Sequence, residues 1–195
     1  MANTAKFDRQ EVIDKATNLY WEKGFHATSM RNLQDVIDMR PGSIYATFGS
    51  KEGLFKETLA RYTELGKKNL ARAREENSSP LKALESFVRR VVVESKQSAP
   101  NGMCMLAKTV AELTKEHQEL LDEAKKCLVI MEGEFAKLVV EAQQLGEVEQ
   151  SRDAKQLARH VQVQIAGLRT YAKTCDDLDL LNSMVEDIFK HHPFK

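Results

Sequence analysis

Apolar residues recur at helical spacing along most of the chain, and the interruptions fall where cap and turn residues stand. The first stripe is Val12, Ile13, Ala16, Leu19 and Tyr20. Asp8 precedes it as a helix cap, with Glu11 three residues on to complete a capping box and Phe7 and Val12 placed for a hydrophobic staple. Gly24 closes it, where a left-handed residue is wanted. Thr28-Ser29 opens a second stripe of Met30, Leu33, Val36 and Ile37. Asp38-Met39-Arg40 then makes a turn, since Asp tolerates the left-handed region better than most residues. Pro41 suits a first helical position, because its missing N–H has no intrahelical partner there. Ile44 and Phe48 lie four apart on one face, Gly49 stops the helix, and Ser50 caps the next at Lys51-Glu52-Gly53-Leu54.

Residues 28–48 therefore predict a short helix, a tight turn and a second short helix, braced by the helix before. This is the helix-turn-helix plan, in which the second short helix enters the major groove of DNA. The small residues Gly42 and Ser43 at its start let backbone approach a duplex, and its free N–H groups suit a phosphate. Hydroxyls of Thr28, Ser29 and Tyr45 and the ammonium of Lys51 are candidates for phosphates. Arg40, Ser43, Ala46 and Thr47 are candidates for base edges or the thymine methyl.

Beyond this unit the pattern stays helical. A long fourth helix carries Leu54, Phe55, Thr58, Leu59, Tyr62 and Leu65, and "EENSSP" breaks it. Leu81, Leu84, Phe87, Val88, Val91 and Val92 form the next stripe, followed by a loop at "SAPNG". The spacing predicts helices over about 103–116, 117–145, 152–174 and 177–191. The fold class is thus all-α: an N-terminal three-helix domain over 1–53 and a C-terminal helical bundle over 54–195. Such a bundle has room for an interior ligand pocket.

Composition agrees. Hydrophobic residues are 42% and charged residues 30% of the 195, with only four prolines and nine glycines, a mix that favours a soluble helical chain with a real core. No apolar run reaches the ~18 residues that span a bilayer, and MANTAKFDRQE lacks a signal sequence. Three cysteines, Cys104, Cys127 and Cys175, fit neither a disulfide framework nor a zinc site, so a cytoplasmic protein without metal or cofactor is expected. Net charge is zero, but residues 1–74 carry 13 basic against 9 acidic side chains and residues 75–195 carry 16 against 20. That mild asymmetry is short of the dense basic patch of a nonspecific binder, while a specific binder manages with few well-placed phosphate contacts.

The segments "GFHATSMRNL" and "GSIYATFGSKEGLF" resemble the DNA-binding domain of the tetracycline-repressor family of bacterial transcription regulators, over residues 7–62. The family pattern has Gly-Phe, a Thr/Ser pair opening the second helix, a Tyr before a variable pair and Phe, then Ser-Lys-Glu opening the fourth helix. The resemblance implies that Tyr45, Thr28, Ser29 and Lys51 meet phosphates. It also implies a C-terminal domain that binds a small effector and pairs through its last two helices, about 152–191, with a second copy. Two positions depart from the pattern: Asp38 stands where Gly is usual, and Arg40-Pro41 stands where a small polar residue and Lys are common. Implied function is a repressor that leaves a palindromic operator when a ligand, entering the bundle, tilts the fourth helix. Effector coupling of this kind is typically worth ~1–3 kcal/mol.

The effector side is less distinct. Phe87, Met103, Met105, Met131, Phe135 and Tyr171 are candidates to line a pocket for an apolar ligand, and each equally reads as plain core. Cys104 in "NGMCML" reads as two or three residues into a helix capped by Asn101, where a thiol gains thiolate character, or else as a small buried hydrophobe. The phrase also resembles a Gly-Cys-Leu segment in electrophile-responsive members of the same family. Ala158, Val161, Ile165, Leu168 and Ala172, with Leu181, Met184, Val185 and Ile188, supply two stripes for a dimer interface or for closing the monomer core. Catalytic signatures are missing: no Gly-rich phosphate loop, His-Glu-x-x-His or nucleophile elbow. The alternatives are a helical thiol enzyme built on Cys104 and a helical adaptor without DNA contacts.

Overall fold

The computed structural model describes residues 7–194, so the first six residues of the N-terminal stretch lie outside the described residues. Nine α-helices follow in order: α1 Arg9–Lys23, α2 Met30–Ile37, α3 Pro41–Phe48, α4 Lys51–Glu76, α5 Pro80–Val92, α6 Met105–Glu112, α7 Gln118–Gln144, α8 Ala154–Tyr171 and α9 Leu178–Lys190. Among the described residues there is no strand, and no helix is long and apolar enough to cross a membrane.

Local chemistry sets the helix starts. Asp8 accepts from the amides of Gln10 and Glu11, Ser50 from Gly53, Ser79 from Lys82, Asp153 from Lys155 and Gln156, and Asp177 from Leu180. Each such cap is worth about 1 kcal/mol. The reciprocal box forms at α2, where Asn32 answers Ser29, while Glu11 pairs with Lys15 instead. Phe7 is 42% exposed.

Two large apolar cores fill the described residues, with a small third cluster of Ala172, Cys175 and Leu181. One is built on Val12, Ala16, Tyr20, Leu33, Ile44, Leu54, Phe55 and Leu59 and runs on into Met105, Leu106, Leu120 and Ala124 of α6 and α7. The other joins Leu70 and Ala73 of α4 to α5, the later part of α7, α8 and α9. Because α4 contributes to both, it spans them as one rod. The first core also reaches α6, so the N-terminal unit is seated on the bundle over a broad front.

Two expectations are corrected. The sixth helix starts at Met105, not Met103, and stops at Glu112 before a short 3-10 turn at Lys115–His117. The cause is competition for carbonyls: Asn101 O and Gly102 O accept from the Arg169 guanidinium, and Met103 O accepts from the Trp21 indole. Those acceptors are then unavailable to start a helix. Cys104 consequently stands at the N-cap position in extended conformation, and the Asn101 side-chain oxygen accepts from Met103 N rather than capping the helix. Of the two readings of the apolar stripes of α8 and α9, these residues close the bundle of the single chain: Ala158, Val161, Val185 and Leu181 are wholly buried, Ile165, Leu168, Ala172 and Ile188 are at most 9% exposed, and Met184 is half-buried. The faces that α8 and α9 leave outside carry Val163 at 67% and Tyr171 at 44% exposure, with Leu178 and Leu180.

Candidate nucleic-acid interface

The second short helix is held from behind and bare in front. Ile44 and Phe48 of α3 are buried in the N-terminal core with Leu33 and Ile37 of α2. Asp38 adopts the left-handed conformation, φ 52° and ψ 44°, and turns the chain between the two helices; Met39 tucks into the core beside it. Arg40 caps α3 through its backbone only, and Pro41 occupies the first helical position. The other side of α3 presents Arg40, Gly42, Ser43, Tyr45 and Ala46, all exposed, with Thr47 half-buried at the edge. Tyr45 is 48% exposed and belongs to neither apolar core. Apart from its chain neighbours and the nearby backbone of α3, no heavy atom of the described residues lies within 4 Å of where a Gly42 side chain would begin.

Of the remaining candidates, Thr28 and Lys51 are engaged within the chain and Ser29 is exposed. Thr28 is fully buried and donates its hydroxyl to Gly24 O at 2.6 Å. That corrects its expected exposure to phosphate. Ser29 is exposed, but its hydroxyl donates to Asn32 Oδ1 while accepting from Asn32 N. The Lys51 ammonium donates to Phe25 O at 2.7 Å and rests 4.2 Å above the Phe25 ring; burial pushes its pKa down. The loop between α1 and α2 is thereby fixed from inside. From the bundle side, Glu112 of α6 accepts from Phe25 N at 3.2 Å and His26 N at 2.7 Å. Lys108 donates to the Trp21 and Glu22 carbonyls at the end of α1. Sequence reading missed this tie, since nothing in the spacing connects Glu112 to residue 25.

The expected effector-lining residues do not converge. Phe87, Met131 and Phe135 pack together in the bundle core, the two rings 5.6 Å apart. Met105 is buried in the other core, with Cys104 against it, Met103 is half-buried in the loop, and Tyr171 points outward. Near Cys104 the polar side chains of Tyr62 and Arg169 meet. The Tyr62 hydroxyl accepts from the Arg169 guanidinium at 3.1 Å, and burial first and Cys104 second raise its pKa, against the lowering effect of Arg169. Arg169 is 3% exposed, and among the described residues no carboxylate pairs with it.

A capped helix, a left-handed turn and a bare-fronted second helix define a helix-turn-helix protein of the DNA-binding regulator class. Residues 12–58 match the model for bacterial regulatory proteins of the tetR family, and residues 80–188 match the tetracyclin repressor-like C-terminal domain. The chain belongs to the tetracycline-repressor family and is a ligand-responsive, DNA-binding transcriptional regulator. It is 27% identical over 177 residues to the HTH-type transcriptional repressor ComR of Escherichia coli K12, covering 90% of this chain and 84% of that protein. It is 40% identical to the repressor BdcR of the same organism over 57 residues, 29% of each chain. Among solved structures, a cysteine mutant of the TetR family regulator CifR, complexed with 26-bp operator DNA, has a TM-score of 0.86 at 24% identity. That match covers 98% of this chain and 100% of the other.

Proposed function

We propose that the chain acts as a cytoplasmic homodimer that represses from a palindromic operator and is released by a small apolar or electrophilic inducer. The carrying observation is the front of α3: Arg40, Gly42, Ser43, Tyr45 and Ala46 are exposed with Thr47 at their edge, and among the described residues none of their side chains makes a hydrogen bond or ion pair. We assign the base edges to Arg40, Ser43, Ala46 and Thr47, and phosphates to Tyr45, Gly42 N and Ser29. Thr28 and Lys51 position the loop behind them. Residues 1–53 form the reading unit and 54–195 the effector and dimer unit, with α4 crossing the division. Two copies related by a two-fold axis place their reading helices about 34–36 Å apart, one turn of duplex. The pairing faces are those that α8 and α9 leave exposed. No residue is given a catalytic role, and the family is a regulatory one.

A second reading of the effector is supported by the position of Cys104. Cys104 is half-buried at the head of α6, in the loop whose carbonyls Arg169 and Trp21 hold. An electrophile adding to Cys104 disturbs the loop that Arg169 and Trp21 hold.

The test is binding of a fluorescent palindromic duplex, recovered from a random pool, by the parent and by Tyr45→Ala. The variant is expected to bind every sequence more weakly by about the same factor. Unchanged affinity removes α3 from the interface. Parent protein that binds no duplex at low salt leaves the adaptor alternative.

A further inference from the structure

The chain has eleven arginines, and nine of them bond within the chain. Arg61 grips Asp14, Arg74 grips Glu141, and even the buried Arg169 holds two carbonyls and a hydroxyl. The two exceptions among the described residues are Arg31 and Arg40. Both are exposed, and both belong to the helix-turn-helix, at the second position of α2 and the N-cap of α3. Acidic neighbours were available. Asp35 lies one turn along from Arg31, and Asp38 two residues before Arg40, yet neither approaches within ion-pair distance. Arg40 also makes no side-chain bond to the end of its own helix.

We infer that these two guanidiniums are kept free for DNA and divide the labour: Arg40 reads a guanine in each operator half-site, and Arg31 holds a backbone phosphate. The inference rests on the DNA-binding reading above and specifies it. In a helix-turn-helix the N-terminal residues of the second helix meet base edges, while the first helix crosses the backbone. Arg40 immediately precedes α3, and its neighbours Pro41 and Gly42 offer little bulk to hold it away from the groove. Its planar fork matches O6 and N7 of guanine, the commonest specific contact in the major groove. Arg31 stands at the start of α2, where a charged fork meets phosphate without reading sequence.

The experiment is selection of duplexes from a random pool with the parent, Arg40→Lys, Arg40→Ala and Arg31→Ala, followed by affinity against salt on the parent's consensus. The substituted side chains are exposed, and Arg40→Lys keeps the charge while removing the fork. Expected for the parent is a guanine at symmetry-related positions of both half-sites, with ~5- to 150-fold loss when one is replaced. Both Arg40 variants should lose that preference and keep the rest of the consensus. Arg31→Ala should keep the whole consensus and flatten the slope of log affinity against log salt by about 1.8 for two heads. A parent consensus without such a guanine, or an Arg40→Lys variant that still selects it, overturns the assignment of Arg40 and leaves DNA binding standing. An unchanged slope for Arg31→Ala removes its phosphate. Parent protein that enriches no duplex and binds none at low salt defeats this inference together with the reading beneath it.

Discussion

Two glycines separate fold from function residue by residue. Gly24 has φ 91°, and a side chain there would meet the Glu112 carboxylate. Gly24→Ala should therefore lose about 1–3 kcal/mol of stability and release the loop that carries Phe25. Gly42 has ordinary helical backbone and open space around it. Gly42→Ala should raise stability by up to about 1 kcal/mol, because alanine suits a helix better. The same methyl stands on the front of α3, so the more stable variant should bind operator more weakly. Thermal melting and duplex titration of both variants check the pair of signs. A Gly42→Ala protein with parental affinity would mean that the backbone at α3's start does not approach the duplex.

Elements were legible in the sequence where local rules governed them. Caps at Asp8, Ser29 and Ser50, proline at the head of α3 and the left-handed Asp38 all follow from residue type, and the structure places each where the spacing did. The face of α3 was legible too, since Ile44 and Phe48 define the buried side and leave the rest outward. What escaped was decided by contacts between residues distant in sequence. The start of α6 depends on Arg169 and Trp21 taking three carbonyls from 67, 68 and 82 residues away. Thr28 looked like a phosphate donor because its partner, Gly24 O, is a backbone group that no side-chain pattern announces. The apolar stripes of α8 and α9 could have faced either a partner or the bundle, and periodicity alone does not say which. The same limit hid α6 as a link to the reading unit. Glu112→Ala leaves the Phe25 and His26 amides without their acceptor, a loss of about 1–3 kcal/mol. Hydrogen exchange at those two amides should accelerate by about tenfold or more, with little change in the core of α7 and α8. Unaltered exchange at both would show that α4 alone carries the coupling.

Across the whole molecule, acid should act chiefly on α4. Hydrogen bonds from Arg74 hold Glu141 below the usual carboxylate range, Arg90 and Arg72 do so for Glu76, and Lys56 for Glu119. All three pairs bind α4 to α7 or α5 or cap its end. Their folded values lie below the unfolded value near ~4.3, so their contribution is complete above it and disappears as pH falls through the folded values. His160 is lowered by burial first and by His192 second. Its fold favours the neutral ring, so its contribution is present above ~6.5 and declines below that. Both effects have one sign. Urea midpoints should fall in two stages between pH 7.5 and 3, and His160→Gln should remove the upper stage only. A midpoint that rises on acidification would contradict both assignments.

Dimerisation follows from what the single chain leaves uncovered. Its bundle core is closed without help, since Val161, Val185 and Leu181 have no exposed surface. A partner is therefore not needed to bury the apolar stripes, and the pairing energy must come from the outer faces. Val163 is the most exposed large apolar residue there, with Tyr171 two turns along the same helix. A charge at the centre of such a face is unpaired and desolvated on association, so Val163→Glu should separate the protomers without unfolding either. Sedimentation should give a single-chain mass at micromolar concentration, with parental helicity. Because one head neutralises half as many phosphates as two, the slope of log affinity against log salt should fall to about half, and the preference for palindromes should vanish. A Val163→Glu protein that sediments as a dimer and keeps the full slope would place the pairing surface elsewhere on the bundle.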